Sequence, residues 1–177
     1  MALLCALLMM GCLTGLADDT QGAMGPPERP SRNAAGMPLM PNFTLHAPGG
    51  ETVSLADYYG KQVVLYFWAS WCPSCKDNMA EKQALHDLFA QENMDAVVLA
   101  INLTDGMQET RASCDAYVAA QGYTMQVLYE ETGALANGLR ITSIPVTLVI
   151  DAEGYAKGGV VGPQSLEDTL ALLAEEG

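Results

Sequence analysis

Two cysteines follow closely after an apolar, strand-like run. Residues Gln62 to Trp68 are almost continuously apolar, as in a strand that is buried on both faces. Cys72, Pro73 and Cys75 come directly after a short turn, and proline suits the first position of a helix. The pattern therefore predicts a central strand that leads into a helix whose N-terminus carries Cys72.

This position makes Cys72 a candidate nucleophile. Unpaired backbone amides and the positive end of the helix dipole stabilise a thiolate there, so the thiol pKa is lowered. Cys75 lies one helical turn later, so the two sulfurs can alternate between dithiol and disulfide. We predict that Cys72 is the exposed sulfur that attacks a partner disulfide, and that the buried Cys75 resolves the mixed disulfide.

The same Cys-x-x-Cys spacing also occurs in zinc sites. Such a site needs two further ligands, and the candidates Cys114, His46 and His86 show no paired spacing. We therefore favour redox chemistry and expect no metal and no cofactor. Cys114 is interpreted as a small core residue, with a third redox role as the alternative, and the two histidines as surface or structural residues.

Composition limits the class of protein. The 177 residues carry a formal net charge of −13, which disfavours binding to nucleic acid or to anionic membrane surfaces. Half of the residues are hydrophobic, so the chain can bury one core of ordinary domain size.

The N-terminal region predicts export. Residues 1–17 are almost wholly apolar, as in the core of a signal peptide, although no basic residue precedes them. Gly15-Leu16-Ala17 would suit signal peptidase cleavage, whereas Met9-Met10-Gly11-Cys12 resembles a degenerate lipobox whose cysteine would be lipidated. Residues 18–40 are rich in Gly, Pro and Ala, which predicts a flexible linker before a domain at 41–177. We therefore expect an extracytoplasmic protein that is either anchored by lipid or secreted.

The domain alternates short apolar runs with helical stretches. Strand-like runs and turn residues predict a hairpin near residue 50, then a βαβαβ order, a second hairpin and a closing helix. The expected helices are Pro73 to Gln91, Glu109 to Ala120, Gly133 to Leu139 and Ser165 to Ala174.

A second motif makes the cysteine pair more specific. Pro145 directly precedes an apolar strand about 70 residues after the cysteines, and together these features resemble the active site and the cis-proline loop of thioredoxin folds. The chain resembles the TlpA/ResA-like branch of that superfamily over most of residues 41–177. The matching segments are Pro41-Asn42-Phe43-Thr44-Leu45, Val53-Ser54-Leu55, Phe67 to Cys75, and Ile144-Pro145 through Ile150-Asp151 and Gly154.

The resemblance implies an α/β thioredoxin fold, with a central mixed sheet flanked by helices and an N-terminal β-hairpin extension. Proteins of the TlpA/ResA-like branch resemble one another in fold, and they reduce or exchange disulfides in exported proteins, including apocytochromes c before haem attachment. A membrane-bound thiol protein is the implied electron donor. Substrate contacts are expected from the motif and from the proline loop, at Trp71, Pro73, Ser74, Ile144 and Pro145.

Two positions depart from that resemblance. TlpA/ResA-like proteins commonly carry Glu three residues after the second cysteine and Pro two residues beyond it, where this chain has Asn78 and Ala80. Thioredoxins instead carry Asp six residues before the first cysteine, where this chain has Tyr66. Neither usual proton acceptor is present. Asp77 and Glu81 would substitute only by turning inward, and we interpret both as solvated.

Two other classes of protein fit the sequence less well. A copper chaperone on the same fold is the alternative function, but related copper carriers use Cys-x-x-x-Cys with a downstream His, and no His follows residue 86. A peroxiredoxin is disfavoured, because the Pro-x-x-x-Thr-x-x-Cys pattern is missing ahead of Cys72.

Overall fold

A mixed sheet organises the chain. The computed structural model describes residues 30–175, and within them the sheet has seven strands. The strands are β1 (Thr44–His46), β2 (Thr52–Ser54), β3 (Gln62–Trp68), β4 (Ala96–Asn102), β5 (Gln126–Tyr129), β6 (Val146–Ile150) and β7 (Ala156–Val161). The helices are α1 (Pro73–Gln91), α2 (Arg111–Gln121), α3 (Ala134–Gly138) and α4 (Leu166–Ala174), and Leu55–Tyr58 forms a 3-10 turn.

The sheet order is β2-β1-β5-β4-β3-β6-β7, which places β3 well inside it. β3 runs parallel to β4 and antiparallel to β6, and Val63 to Trp68 are buried. The hairpin β1–β2 extends the sheet beyond β5 through the pairing of His46 with Tyr129. The predicted α/β class, the central strand and the N-terminal hairpin are confirmed.

Alternation along β3 divides the core into two layers. Val64, Tyr66 and Trp68 face a cluster that includes both cysteines of the motif and buried residues of α1, α2 and α4. Leu65 and Phe67 face the other layer, with buried residues of the hairpin and α3. The cysteine pair thus lies on the layer formed by three of the helices.

The start of α2 differs from the prediction. The helix begins at Arg111 rather than at Glu109, because the Thr110 side chain accepts the N–H of Ser113 and caps the first turn. Glu109 lies outside the helix and is fully buried.

Residues 30–40 contact the β6–β7 turn. Leu39 bridges to Tyr155, the Tyr155 hydroxyl donates to the carbonyl of Pro30, and Met40 donates its N–H to Gly154. The predicted leader at 1–17 and most of the predicted linker at 18–40 lie outside the described residues, and the domain boundary at 41 stays a prediction. Across 30–175, no helix combines the length and the apolar character needed to span a membrane.

Gly154 offers a test of this contact region. Its φ is +98°, and an added Cβ would lie 2.9 Å from Cε1 of Tyr59, whereas Gly50, at φ +89°, has open space around it. We expect Gly154→Ala to lower the free energy of unfolding by about 1 kcal/mol more than Gly50→Ala, because both pay a backbone cost but only the first adds a clash. Urea unfolding of the two variants measures the difference, and equal losses would contradict this packing.

Candidate active site

The cysteine pair lies at the junction between the end of β3 and the start of α1. Cys72 is the N-cap residue of α1 and Pro73 is its first residue, as predicted. The Cys72 sulfur accepts the backbone N–H of Cys75 at 3.2 Å. The two sulfurs are joined as a disulfide. The helix terminus therefore directs a backbone donor at Cys72, as stabilisation of a thiolate there requires.

Only one of the two cysteines borders open space. Cys72 lines a cavity of about 320 Å³, together with Trp71, Pro73, Leu103 and residues 141–144. Its exposed fraction is 4%, and that of Cys75 is 0%. A partner can therefore approach Cys72 but not Cys75, in the order that the sequence predicts, although Cys72 is less exposed than expected.

The proline loop faces the disulfide. The Ile144–Pro145 peptide bond is cis, as the resemblance implies, and the carbonyl oxygen of Ile144 lies 4.0 Å from the Cys72 sulfur. Ser74 approaches the same sulfur from α1, with its Oγ at 3.6 Å. Pro145 itself is buried, and its carbonyl accepts the N–H of Gly162.

The predicted site residues thus meet around the disulfide. Trp71, Pro73 and Ile144 line the cavity beside Cys72, and the indole of Trp71 is 47% exposed. Pro145 and Ser74 are not among the residues that line it. Their roles in substrate binding stay predictions.

A buried carboxylate anchors the loop that carries the motif. Glu109 accepts hydrogen bonds from Oγ of Ser70 at 2.8 Å and from Nδ2 of Asn102 at 2.7 Å. Thr104 completes this network by donating its hydroxyl to Oδ1 of Asn102 at 2.7 Å. Ser70 stands two residues before Cys72, so the network fixes the approach to the nucleophile. The sequence pattern does not reveal this network, because it predicts Glu109 only as the first residue of a helix.

Comparison with known proteins agrees with this geometry. The model of the AhpC/TSA family matches residues 38–157, more than half of the chain. The chain belongs to the AhpC/TSA family. Thiol-disulfide oxidoreductase ResA of Geobacillus kaustophilus is 27% identical over 128 residues, which cover 72% of this chain and 70% of that protein. Thioredoxin-like protein YneN of Bacillus subtilis is 30% identical over 131 residues, with 72% of each chain covered.

A solved structure of another protein has a similar fold. The exposed lipoprotein thioredoxin of Streptococcus pneumoniae strain TIGR4 superposes with a TM-score of 0.68 and 28% identity, covering 77% of this chain and all of that one. The thioredoxin fold predicted from the sequence is confirmed. Family, relatives and the disulfide-bonded pair together show that the protein is a thiol-disulfide oxidoreductase.

The two positions that lack a carboxylate are occupied by hydrogen-bonding groups. Tyr66 is fully buried and donates its hydroxyl to the carbonyl of Cys75 at 2.9 Å. Burial raises the pKa of Tyr66, so this hydroxyl keeps its proton. Asn78 donates to the carbonyl of Gln164 at 2.8 Å and accepts its N–H at 3.2 Å. Tyr66 thus holds the backbone of Cys75 and Asn78 holds that of Gln164, and neither side chain is a carboxylate that could accept a proton.

Neither nearby acid turns toward the sulfurs. Asp77 is exposed, in agreement with the interpretation from sequence. Glu81 accepts the N–H of Leu166 at 2.8 Å, so its carboxylate serves the first turn of α4. Cys114 is buried, and burial, with a smaller contribution from Glu109, raises the pKa of its thiol. It therefore matches the predicted core residue.

A buried lysine lies in this layer instead. Lys82 is fully buried, and its Nζ donates to the carbonyl of Gln164 at 3.0 Å and to Oγ1 of Thr169 at 3.1 Å. Burial lowers the pKa of Lys82 from 10.5 to about 8, and Glu81 and Asp168 oppose this shift. Sequence reasoning overlooked Lys82, although its position three residues after Met79 and three before Leu85 puts it on the apolar stripe of α1.

Replacing this lysine is expected to stabilise the fold at neutral pH. Lys82→Met removes a buried charge without stranding a partner, because Gln164 keeps the Asn78 donor and Thr169 still donates to Ser165. We expect the free energy of unfolding to rise by about 2 kcal/mol at pH 7. Urea unfolding of the variant and of Lys61→Met, an exposed control, measures the change.

The stability that Lys82→Met gains over wild type is expected to decrease as the pH rises. Between pH 8 and 10.5 the unfolded chain still binds the Lys82 proton that the folded protein has lost, so wild-type stability rises with pH there. The difference in the free energy of unfolding between Lys82→Met and wild type should therefore decrease across this range. The difference between Lys61→Met and wild type should show no such trend. A gap that is constant with pH would contradict a buried, charged Lys82.

Proposed function

We propose that this protein reduces or exchanges disulfides of exported proteins outside the cytoplasm, with Cys72 as the nucleophile and Cys75 as the resolving thiol. The observation that carries the proposal is the position of Cys72: its sulfur accepts a backbone N–H at the helix terminus and borders the cavity, whereas Cys75 is fully enclosed. One sulfur is thus activated and accessible, and the other is reachable only from the first.

The reaction follows from this arrangement. The Cys72 thiolate attacks one sulfur of a partner disulfide, and the other partner sulfur leaves as a thiolate that takes up a proton. Cys75 loses its proton and attacks the Cys72 sulfur, which releases the second partner thiol and forms the Cys72–Cys75 disulfide. Two electrons pass to the partner, and a dithiol protein at the membrane restores the reduced pair.

The cavity suits an extended, apolar segment of a partner protein. Leu103, Ile141 and Ile144 give it apolar walls, and Trp71 at its rim offers an exposed aromatic surface. The carbonyl oxygen of Ile144 lies 4.0 Å from the Cys72 sulfur, so this backbone borders the reacting atom. Trp71, Pro73, Ser74, Ile144 and Pro145 are therefore the proposed substrate site.

Two observations support a location outside the cytoplasm. Residues 1–17 have the composition of a signal-peptide core or a lipoprotein leader, and the pneumococcal structure with the same fold is an exposed lipoprotein. The resemblance to TlpA/ResA-like proteins makes apocytochrome c a candidate substrate and a membrane-bound thiol protein a candidate donor.

Insulin reduction tests the assignment of the two cysteines. With dithiothreitol as the electron source, Cys72→Ser and Cys75→Ser are each expected to fall to the background rate of dithiothreitol alone, because each removes one sulfur of the pair. Cys114→Ala is the matched control and should keep the wild-type rate to within about twofold, because Cys114 is buried away from the cavity.

A trapping experiment separates the two roles. Cys75→Ser should accumulate a mixed disulfide with insulin through Cys72, visible as a band shift that dithiothreitol removes, whereas Cys72→Ser should form none. Full activity in either serine variant, or trapping through Cys75 alone, would contradict the proposed roles.

A further inference from the structure

Lys82 and Cys75 lie on the same buried face of α1. Lys82 is seven positions after Cys75, which is about two helical turns or about 10.5 Å along the helix axis. Side chains of a helix lean toward its N-terminus, so the Lys82 side chain leans toward the disulfide. Both residues are fully enclosed, and both belong to the layer of the core that covers one face of the sheet.

Tyr66 contacts both Lys82 and the backbone of Cys75. Nζ of Lys82 lies 5.6 Å from the centroid of the Tyr66 ring, and the hydroxyl of that ring bonds the carbonyl of Cys75. The ammonium thus lies over a buried aromatic ring whose hydroxyl is bonded to the backbone of Cys75. Water is excluded from this region, so the charge is screened far less than at a surface.

No carboxylate of the described residues forms a salt bridge with Lys82, although Glu81 and Asp168 partly stabilise its charge. The ionisable groups that face Lys82 are Tyr66 on β3, Glu81 on its own helix and Asp168 on α4. Tyr66 is neutral, Glu81 is engaged with the N–H of Leu166, and Asp168 accepts the hydroxyl of Ser165. Among residues 30–175, no carboxylate comes within 4.0 Å of the Lys82 amine.

We propose that the Lys82 ammonium stabilises the thiolate of the reduced Cys72–Cys75 pair and thereby makes the couple more oxidising. The inference rests on the proposed redox function of that pair. Reduction by an external dithiol delivers two electrons and one proton to the disulfide, which leaves one thiolate and one thiol, and a nearby cation lowers the free energy of that anion. The chain thus places a positive charge in the same core layer as the cysteine pair.

A purely structural role explains the lysine less well. The two groups that accept from its amine have other hydrogen-bond partners, so a methionine would leave neither of them unpaired. A buried cation that forms no salt bridge within residues 30–175 is costly. A role in stabilising the thiolate, which exists only in the reduced protein, explains why a lysine occupies this position.

The redox equilibrium of the full chain with dithiothreitol tests the proposal. At pH 7 we expect Lys82→Met to lower the equilibrium constant for reduction about tenfold, which equals a potential lower by about 30 mV. Thr169→Val is the matched control, because it removes a contact of the same amine but keeps the charge, and it should stay within about twofold of wild type. The effect of Lys82→Met should shrink as the pH rises above 8.

A measurement on the wild-type protein needs no substitution. Coupling is reciprocal, so if the cation favours the thiolate, the thiolate must favour the cation. NMR titration of the side-chain carbons of the four lysines should reveal one with an unusually low pKa, and that pKa should be higher in the reduced than in the oxidised protein.

The outcomes separate this inference from the proposed function. If wild type exchanges with dithiothreitol but Lys82→Met and Thr169→Val shift the equilibrium equally, or neither shifts it, the role of Lys82 is overturned and the redox function stands. An identical lysine pKa in both redox states would overturn the role in the same way. If wild type does not exchange at all, the proposed function fails and the inference fails with it.

Discussion

The hydrogen bond from the backbone of Cys75 to the sulfur of Cys72 is the contact on which the site depends. It exists because β3 ends directly before α1 and Pro73 starts the helix, so the first turn leaves its N–H groups free for a side chain at the N-cap. The same geometry encloses Cys75 under the helix and leaves Cys72 at the cavity. Activation and the division of roles between the cysteines therefore have one structural origin.

Charge around this contact is distributed in an unusual way. On one side the buried carboxylate of Glu109 holds the loop before Cys72 through Ser70 and Asn102. On the other side Lys82, on the buried face of α1, forms no salt bridge among the described residues, and Tyr66 and Asn78 fill the two positions at which the resemblance implied an acid. The reduced pair thus faces a cation through the core, which favours a stable thiolate over proton transfer to a buried acid.

The sequence was sufficient for the features that depend on local pattern. The apolar run of β3, the helix that starts at Pro73 and the proline before β6 are each encoded within a few residues, and the structure confirms them. It was insufficient for contacts between distant segments. The sequence predicts Glu109 only as the first residue of a helix, because its partners Ser70 and Asn102 lie on other segments of the chain. Lys82 was overlooked because only packing against α4 shows where its amine lies.

Differential alkylation of the reduced, folded protein tests the central claim most directly. Brief treatment with iodoacetamide at pH 7, followed by peptide mass spectrometry, reports which thiol reacts first. The account predicts that Cys72 is labelled while Cys75 and Cys114 stay unmodified, because only Cys72 is both activated by the helix terminus and open to the cavity. Labelling of Cys75 as fast as Cys72 would contradict it.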